Sequence, residues 1–180
     1  MKVPSDADFP KTCPLGGKCR LARRVLDLRR RDIPYAFVAL PYQEAYDDTE
    51  STIKLVLKGG ELFGRKFRPK KSSRKVVKAV VARDRYFVGN GFCKICQLCW
   101  FAHFGIAELG SLNPNVMIEI GLMWGFGKKI VFTLNRTHTQ LKDVPFDLTN
   151  FMVVPYESLT PLAIGLDGKV KFLLLTERFR

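Results

Sequence analysis

Acidic side chains are scarce in this sequence: 17 Asp and Glu stand against 30 Lys and Arg, and histidine occurs only twice. With so few carboxylates, one in apolar company is conspicuous, because a buried acid is usually paired or functional. His103 ends an apolar run and His138 sits in a polar stretch, and neither has a partner spacing that suggests catalysis. No apolar run reaches the roughly 20 residues that a membrane-crossing helix needs, and the N-terminus is polar and proline-bearing rather than signal-like. A cytoplasmic chain without a membrane partner is expected. There is no phosphate-binding loop and no Gly-x-Gly-x-x-Gly, which argues against dinucleotide binding for hydride transfer. Internal repeats are absent as well.

What is present is unevenly placed. Residues 1–34 carry nine Lys and Arg against four acids, and residues 58–78 carry nine against Glu61 alone, so these two regions hold the whole net charge of +13. Nucleic acid is a conceivable partner for residues 58–78, but aromatic residues do not interleave the basic run as in a base-stacking surface, and a solvated face is the simpler reading. The five cysteines form two groups, Cys13 and Cys19, then Cys93, Cys96 and Cys99. Such grouping suggests metal or redox chemistry before structural disulfides. Cys13, Cys19, Cys93 and Cys96 are candidate ligands of a structural zinc ion; with Cys99 on the same face an iron–sulfur cluster is a further option, and small buried apolar residues are the plain one.

The length suits one core, and nearly half of the residues are apolar. Residues 1–34 read as a basic extension with a short helix near 21–28, and 35–180 as one α/β domain. Strands are expected at 36–40, 76–82, 104–107, 129–134 and 151–156. Helices are expected at 47–58, 92–102 and from Asn113 to Gly127, with a closing helix at 169–179 and a basic loop at 65–74. The helix at 113 has the clearest start, since Asn113 can cap the first turn and Pro114 occupies the first helical position, where its missing N–H costs nothing. Strands alternating with helices predict a doubly wound, flavodoxin-like parallel five-stranded sheet of order 2-1-3-4-5, with ligands beyond the strands' carboxyl ends at the switch point between strands one and three. That brings the loop 41–48 beside the loop 108–115.

Four stretches in this order, Phe37-Val-Ala-Leu-Pro-Tyr-Gln-Glu-Ala-Tyr-Asp-Asp48, Phe104-Gly-Ile-Ala-Glu-Leu109, Asn113-Pro-Asn-Val-Met-Ile-Glu-Ile-Gly-Leu122 and Val144-Pro-Phe-Asp-Leu148, resemble the TIR-like nucleotide-binding domains related to nucleoside 2-deoxyribosyltransferases. The resemblance spans roughly residues 36–156. It implies a pocket for a nucleotide or nucleoside, a homo-oligomer, and cleavage of an N-glycosidic bond by hydrolysis or transfer, which for TIR enzymes is the bond joining nicotinamide to ribose in NAD. NAD would then be a substrate or ligand rather than a cofactor. The family's catalytic glutamate falls on Glu119, and the acid closing its third strand, more often aspartate, falls on Glu108. Tyr42 and Tyr46 are suited to stacking or hydrogen bonding on a base or ribose, and Asn113 and Asn115 to reading hydroxyls. Pro41 and Asp84, at the ends of the first two strands, complete the candidate substrate-binding set. A non-catalytic nucleotide-sensing or assembly module is the alternative.

Overall fold

The computed structural model describes residues 35–62, 64–67, 77–82, 91–149 and 151–176. The expected N-terminal extension with Cys13 and Cys19, most of the basic run, and Asp84 lie outside the described residues. Chain order is β1 (Tyr35–Ala39), a 3-10 turn (Glu44–Tyr46), α1 (Asp47–Lys58), β2 (Glu61–Leu62), β3 (Arg65–Lys66), β4 (Lys78–Val81), α2 (Gly91–Phe101), β5 (Phe104–Glu108) and α3 (Pro114–Gly125), then β6 (Ile130–Asn135), a second 3-10 turn (Leu141–Asp143), α4 (Phe146–Thr149), β7 (Val153–Tyr156) and α5 (Leu159–Thr176).

Five strands form one sheet in the order β4-β1-β5-β6-β7, and every pairing in it is parallel. The numbering differs from the expected 2-1-3-4-5 because two strands were not foreseen: β2 and β3 pair antiparallel around Gly64, in a separate hairpin at the start of the predicted basic loop. Counted among the strands of the large sheet alone, the order runs second, first, third, fourth, fifth. β1 is buried at every residue, as a strand covered on both faces must be.

Side chains alternate between two layers. Phe37, Ala39, Ala107, Phe132 and Leu134 pack with Leu98 and Cys99 of α2 and with Val116, Ile120 and Met123 of α3. Ala36, Val38, Ile106, Val131 and Val154 pack with Ile53 and Val56 of α1 and with Leu166 and Leu173 of α5. Even-numbered positions of β5 therefore face α1 and α5, and odd ones face α2 and α3.

Local signals explain the helix ends. The Asn113 side chain accepts from the Asn115 amide at 2.9 Å and Pro114 opens α3. Gly59, at φ +80°, ends α1 with its amide on Leu55 and Val56. The last helix departs most from expectation, beginning at Leu159 rather than 169. Pro161, Gly165 and Gly168 read as breakers, yet Pro161 falls in the first turn, where a missing N–H is harmless. At Gly165 an added Cβ would come within 2.5 Å of Val154, so the glycine lets helix and sheet approach.

Candidate functional site

The switch point lies between β1 and β5, whose following chains leave toward opposite faces of the sheet: α1 on one side, α3 on the other. The crevice is the space those loops enclose. Glu108, the last residue of β5, lies at this end of the sheet. Being even-numbered, its side chain points toward the α1 and α5 layer, and it is completely buried. One carboxylate oxygen accepts from the Gly110 amide (2.7 Å) and the Asn135 amide (2.9 Å). The other accepts from the Thr133 hydroxyl (2.6 Å) and the Tyr156 hydroxyl (2.9 Å). Tyr156 also meets the Thr49 hydroxyl at 3.1 Å; since Tyr156 spends its proton on Glu108, Thr49 donates to Tyr156. This chain of bonds ties β5, β6, β7 and α1 together at their site end.

Burial raises the pKa of Glu108 and the four donors work against that rise. Burial, then the charge of Glu108, pushes the Tyr156 hydroxyl well above the usual phenol range. Gly110 is required by the same arrangement: a Cβ there would stand 2.7 Å from Glu108 Oε1 and 2.9 Å from Asn135 Cβ. Of the two roles open to a carboxylate at this position, stitching strands and contacting ribose, the protein itself uses both oxygens for the first.

Tyr46 joins this group. It is buried, its hydroxyl lies 3.2 Å from the position a Cβ would take on Gly110, and its ring meets that of His138 at 5.7 Å. The hydroxyl makes no hydrogen bond of good distance and angle; burial raises its pKa, while the Ser111 side chain works the other way. The loops 41–48 and 108–115 are thus neighbours. Pro41 is buried beneath the first loop, and Tyr42 is half exposed at its surface. Sequence reasoning passed over His138, Thr133, Tyr156 and Thr49, which come from separate parts of the chain and share no local pattern. On the other side of the crevice Leu112 adopts φ +46°, a left-handed backbone rare for a branched side chain, directly before the Asn113 cap. Asn115 is exposed in the first turn of α3.

Glu119 stands apart from that cluster. It lies on the buried face of α3, which looks toward α2, so the sheet separates it from Glu108. Only 3% of it is exposed, and burial alone pushes its carboxyl up to about 8. Near it is the cysteine row of α2. Burial, followed by the nearby Glu119 charge, pushes the Cys99 thiol far up, and Lys128, beside Cys99, is lowered to about 8 by its own burial. Glu119 is six residues beyond the cap, a rise of about 9 Å, and helical side chains lean back toward the N-terminus. Its side chain therefore leans from the buried face of α3 back toward that helix's mouth.

Cys93, Cys96 and Cys99 are increasingly buried along α2. Among the described residues no group of three or more His, Cys, Asp or Glu is arranged to hold a metal ion, so a four-thiolate site depends on Cys13 and Cys19, outside those residues. The described part of the basic region presents Arg65 and Lys66 exposed on β3. No helix among the described residues is long and apolar enough to cross a membrane. No family model and no curated protein matches this chain.

Proposed function

We propose that this chain is a nucleotide-processing α/β domain that cleaves the N-glycosidic bond of NAD or a related nucleotide or nucleoside, with Glu119 as its central carboxylate. The observation that carries this reading is the state of Glu119: a carboxyl sunk into the helix that starts at the sheet's switch point and held near pKa 8 by burial. Such a group is costly as an anion until positive charge is brought to it. As a base leaves, positive charge develops on the ribose, by analogy with the oxocarbenium-like state of glycosidases. An ionised Glu119 stabilises that charge until water, or an acceptor base in the transfer reaction, closes on the anomeric carbon. The α3 mouth, toward which the Glu119 side chain leans, supplies the binding surface for the ribose, and Glu108 holds the strand ends that frame it.

The test is release of free base, followed by chromatography, from NAD and a panel of nucleosides and nucleotides. Glu119→Gln is expected to lower turnover by roughly a hundredfold or more while leaving the far-UV circular dichroism unchanged. Because the ionised form does the work, kcat/KM of the parent should rise with pH through about 8, and this limb should vanish in the variant. Equal base release by both proteins would remove the assignment. One observation favours a second reading, a non-catalytic nucleotide-sensing or assembly module: both candidate acids are sealed from solvent, and Glu108 has its oxygens filled by protein donors. Ligand retention without any product across all substrates would select it.

A further inference from the structure

The described charges at the crevice run against the rest of the chain. Between Tyr35 and Ile53 there is no Lys or Arg, although the whole protein carries +13. Glu44 in the first 3-10 turn and Asp47 and Asp48 in the first turn of α1 are exposed, and they flank Tyr46, whose hydroxyl lies against Gly110. Three acids thus stand beside the β5–α3 loop, and that loop, Leu109 to Asn115, has no charge of its own. Beyond β6, Arg136 is answered by Glu157 at 3.6 Å.

Neither helix start at the switch point is open to a phosphate. A helix N-terminus binds anions through amides that its own chain leaves unused. At α3 the first helical residue, Pro114, has no N–H, and the Asn113 side chain takes the amide of the second, Asn115, at 2.9 Å. At α1 the positive end of the helix dipole already faces Asp47, Asp48 and Glu50 in its first turn. Glu119 asks for the opposite charge. It is 3% exposed, and among the described residues no donor or cation offsets the burial that raises its carboxyl, in contrast to the four donors on Glu108.

On the reading of Glu119 as the central carboxylate, on which this rests, we infer that the substrate is a nucleoside without phosphate whose base is a cation, ribosylated on a pyridinium-type ring nitrogen. The rim acids draw a cation in and turn a phosphate away. The cation then reaches the buried carboxyl in the ground state, before any bond breaks, and favours its ionised form. The chemistry agrees. An ionised Glu119 has no proton to give a departing base, and a pyridinium needs none. The bond from C1′ to the ring nitrogen breaks with its electron pair left on nitrogen, which cancels the ring charge. Water bonds to C1′ and loses one proton, so ribose, neutral base and H⁺ are the products.

Base release by the full chain from the nicotinamide nucleoside, its 5′-monophosphate, NAD, adenosine and inosine tests this, with Asp48→Lys and Glu44→Lys as two exposed rim variants. The cationic nucleoside is expected to exceed each of the others in kcat/KM by roughly tenfold or more. Each rim variant should cut its lead over the monophosphate by roughly fivefold or more, and two separate positions guard against a folding defect in one. For the cationic nucleoside the pH limb in kcat should lie below that in kcat/KM, because the bound charge favours ionised Glu119. Release from the monophosphate or NAD at equal or greater kcat/KM overturns the substrate class, points to Arg83 or Arg85, outside the described residues, as the phosphate's partner, and leaves the Glu119 reading intact. Equal release from adenosine or inosine overturns the cationic base in the same way. With no release from any substrate the Glu119 reading falls, and equilibrium binding of the same five ligands decides the class. Tightest binding of the cationic nucleoside supports it, and any other order, or no binding, overturns it.

Discussion

At the scale of single residues the two acids are both raised by burial but sit in different surroundings, and each has its own signature in stability. Glu108 accepts four hydrogen bonds. Glu108→Leu, close in volume, leaves four buried donors without an acceptor and is expected to cost roughly 4 kcal/mol, whereas Glu108→Gln keeps an acceptor for the amides and lets the hydroxyls turn, costing roughly 1–2 kcal/mol. Urea denaturation at pH 7 reads both values, and equal losses would show that the bonds do not carry the effect. Glu119 has its carboxyl raised from 4.5 to about 8. Between those values the folded state binds a proton that the unfolded state has lost, so this contribution to stability is full below about 4.5, declines as pH rises, and is lost above about 8. Glu119→Gln should flatten that decline and leave the variant more stable than the parent at pH 8 by a few kcal/mol. Lys128, lowered from 10.5 to about 8, acts with the opposite sign above pH 8, because there the unfolded chain holds the extra proton. A urea midpoint series from pH 5 to 8, run on the parent and on Glu119→Gln side by side, therefore separates Glu119 from Glu108, whose carboxyl burial also raises. That these acids face opposite layers could have been read from strand parity, since Glu108 shares the side of Phe104 and Ile106. The donors around it could not, because Gly110, Thr133, Asn135 and Tyr156 meet only once three strands are paired.

At the scale of elements, what the sequence declared is what local chemistry specifies. Asn113 and Pro114 announced α3, and their geometry is a side-chain cap with Pro at the first helical position. Asn113→Ala should lower stability by about 1 kcal/mol, measured as a drop in the urea midpoint. A loss well above that would mean that the cap also holds Leu112 in its left-handed backbone. Where tertiary contact overrides local preference, the sequence misled. The first ten residues of α5 contain Pro161, Gly165 and Gly168 and look like loop, but Leu162, Ala163 and Leu166 bury against the sheet and make the helix worthwhile. The hairpin β2–β3 was hidden in a similar way: two residues per strand around Gly64 leave no periodic pattern to detect.

At the scale of the whole molecule, charge and function part company. The regions 1–34 and 58–78 hold the entire net charge of +13, and the sheet with its switch-point crevice is assembled from the neutral remainder. Retention on a polyanion column should fall steeply with salt, and duplexes of different sequence should bind alike, because contacts to phosphate alone carry no sequence information. Base release should be the same at salt concentrations that abolish this retention; a parallel loss of both would tie the basic regions to catalysis. The order of the sheet has a consequence for how the chain reaches this state. β1 is a wholly buried apolar strand between β4 and β5, and Ala36 pairs with Ala79 and with Phe104, the latter 68 residues further on. The first of the described strands thus waits for most of the domain before its second edge is closed, and loop-closure entropy is spent before that pairing can compensate. During synthesis and refolding, the apolar edge of Tyr35–Ala39 therefore stays open to wrong partners until β5 has been made.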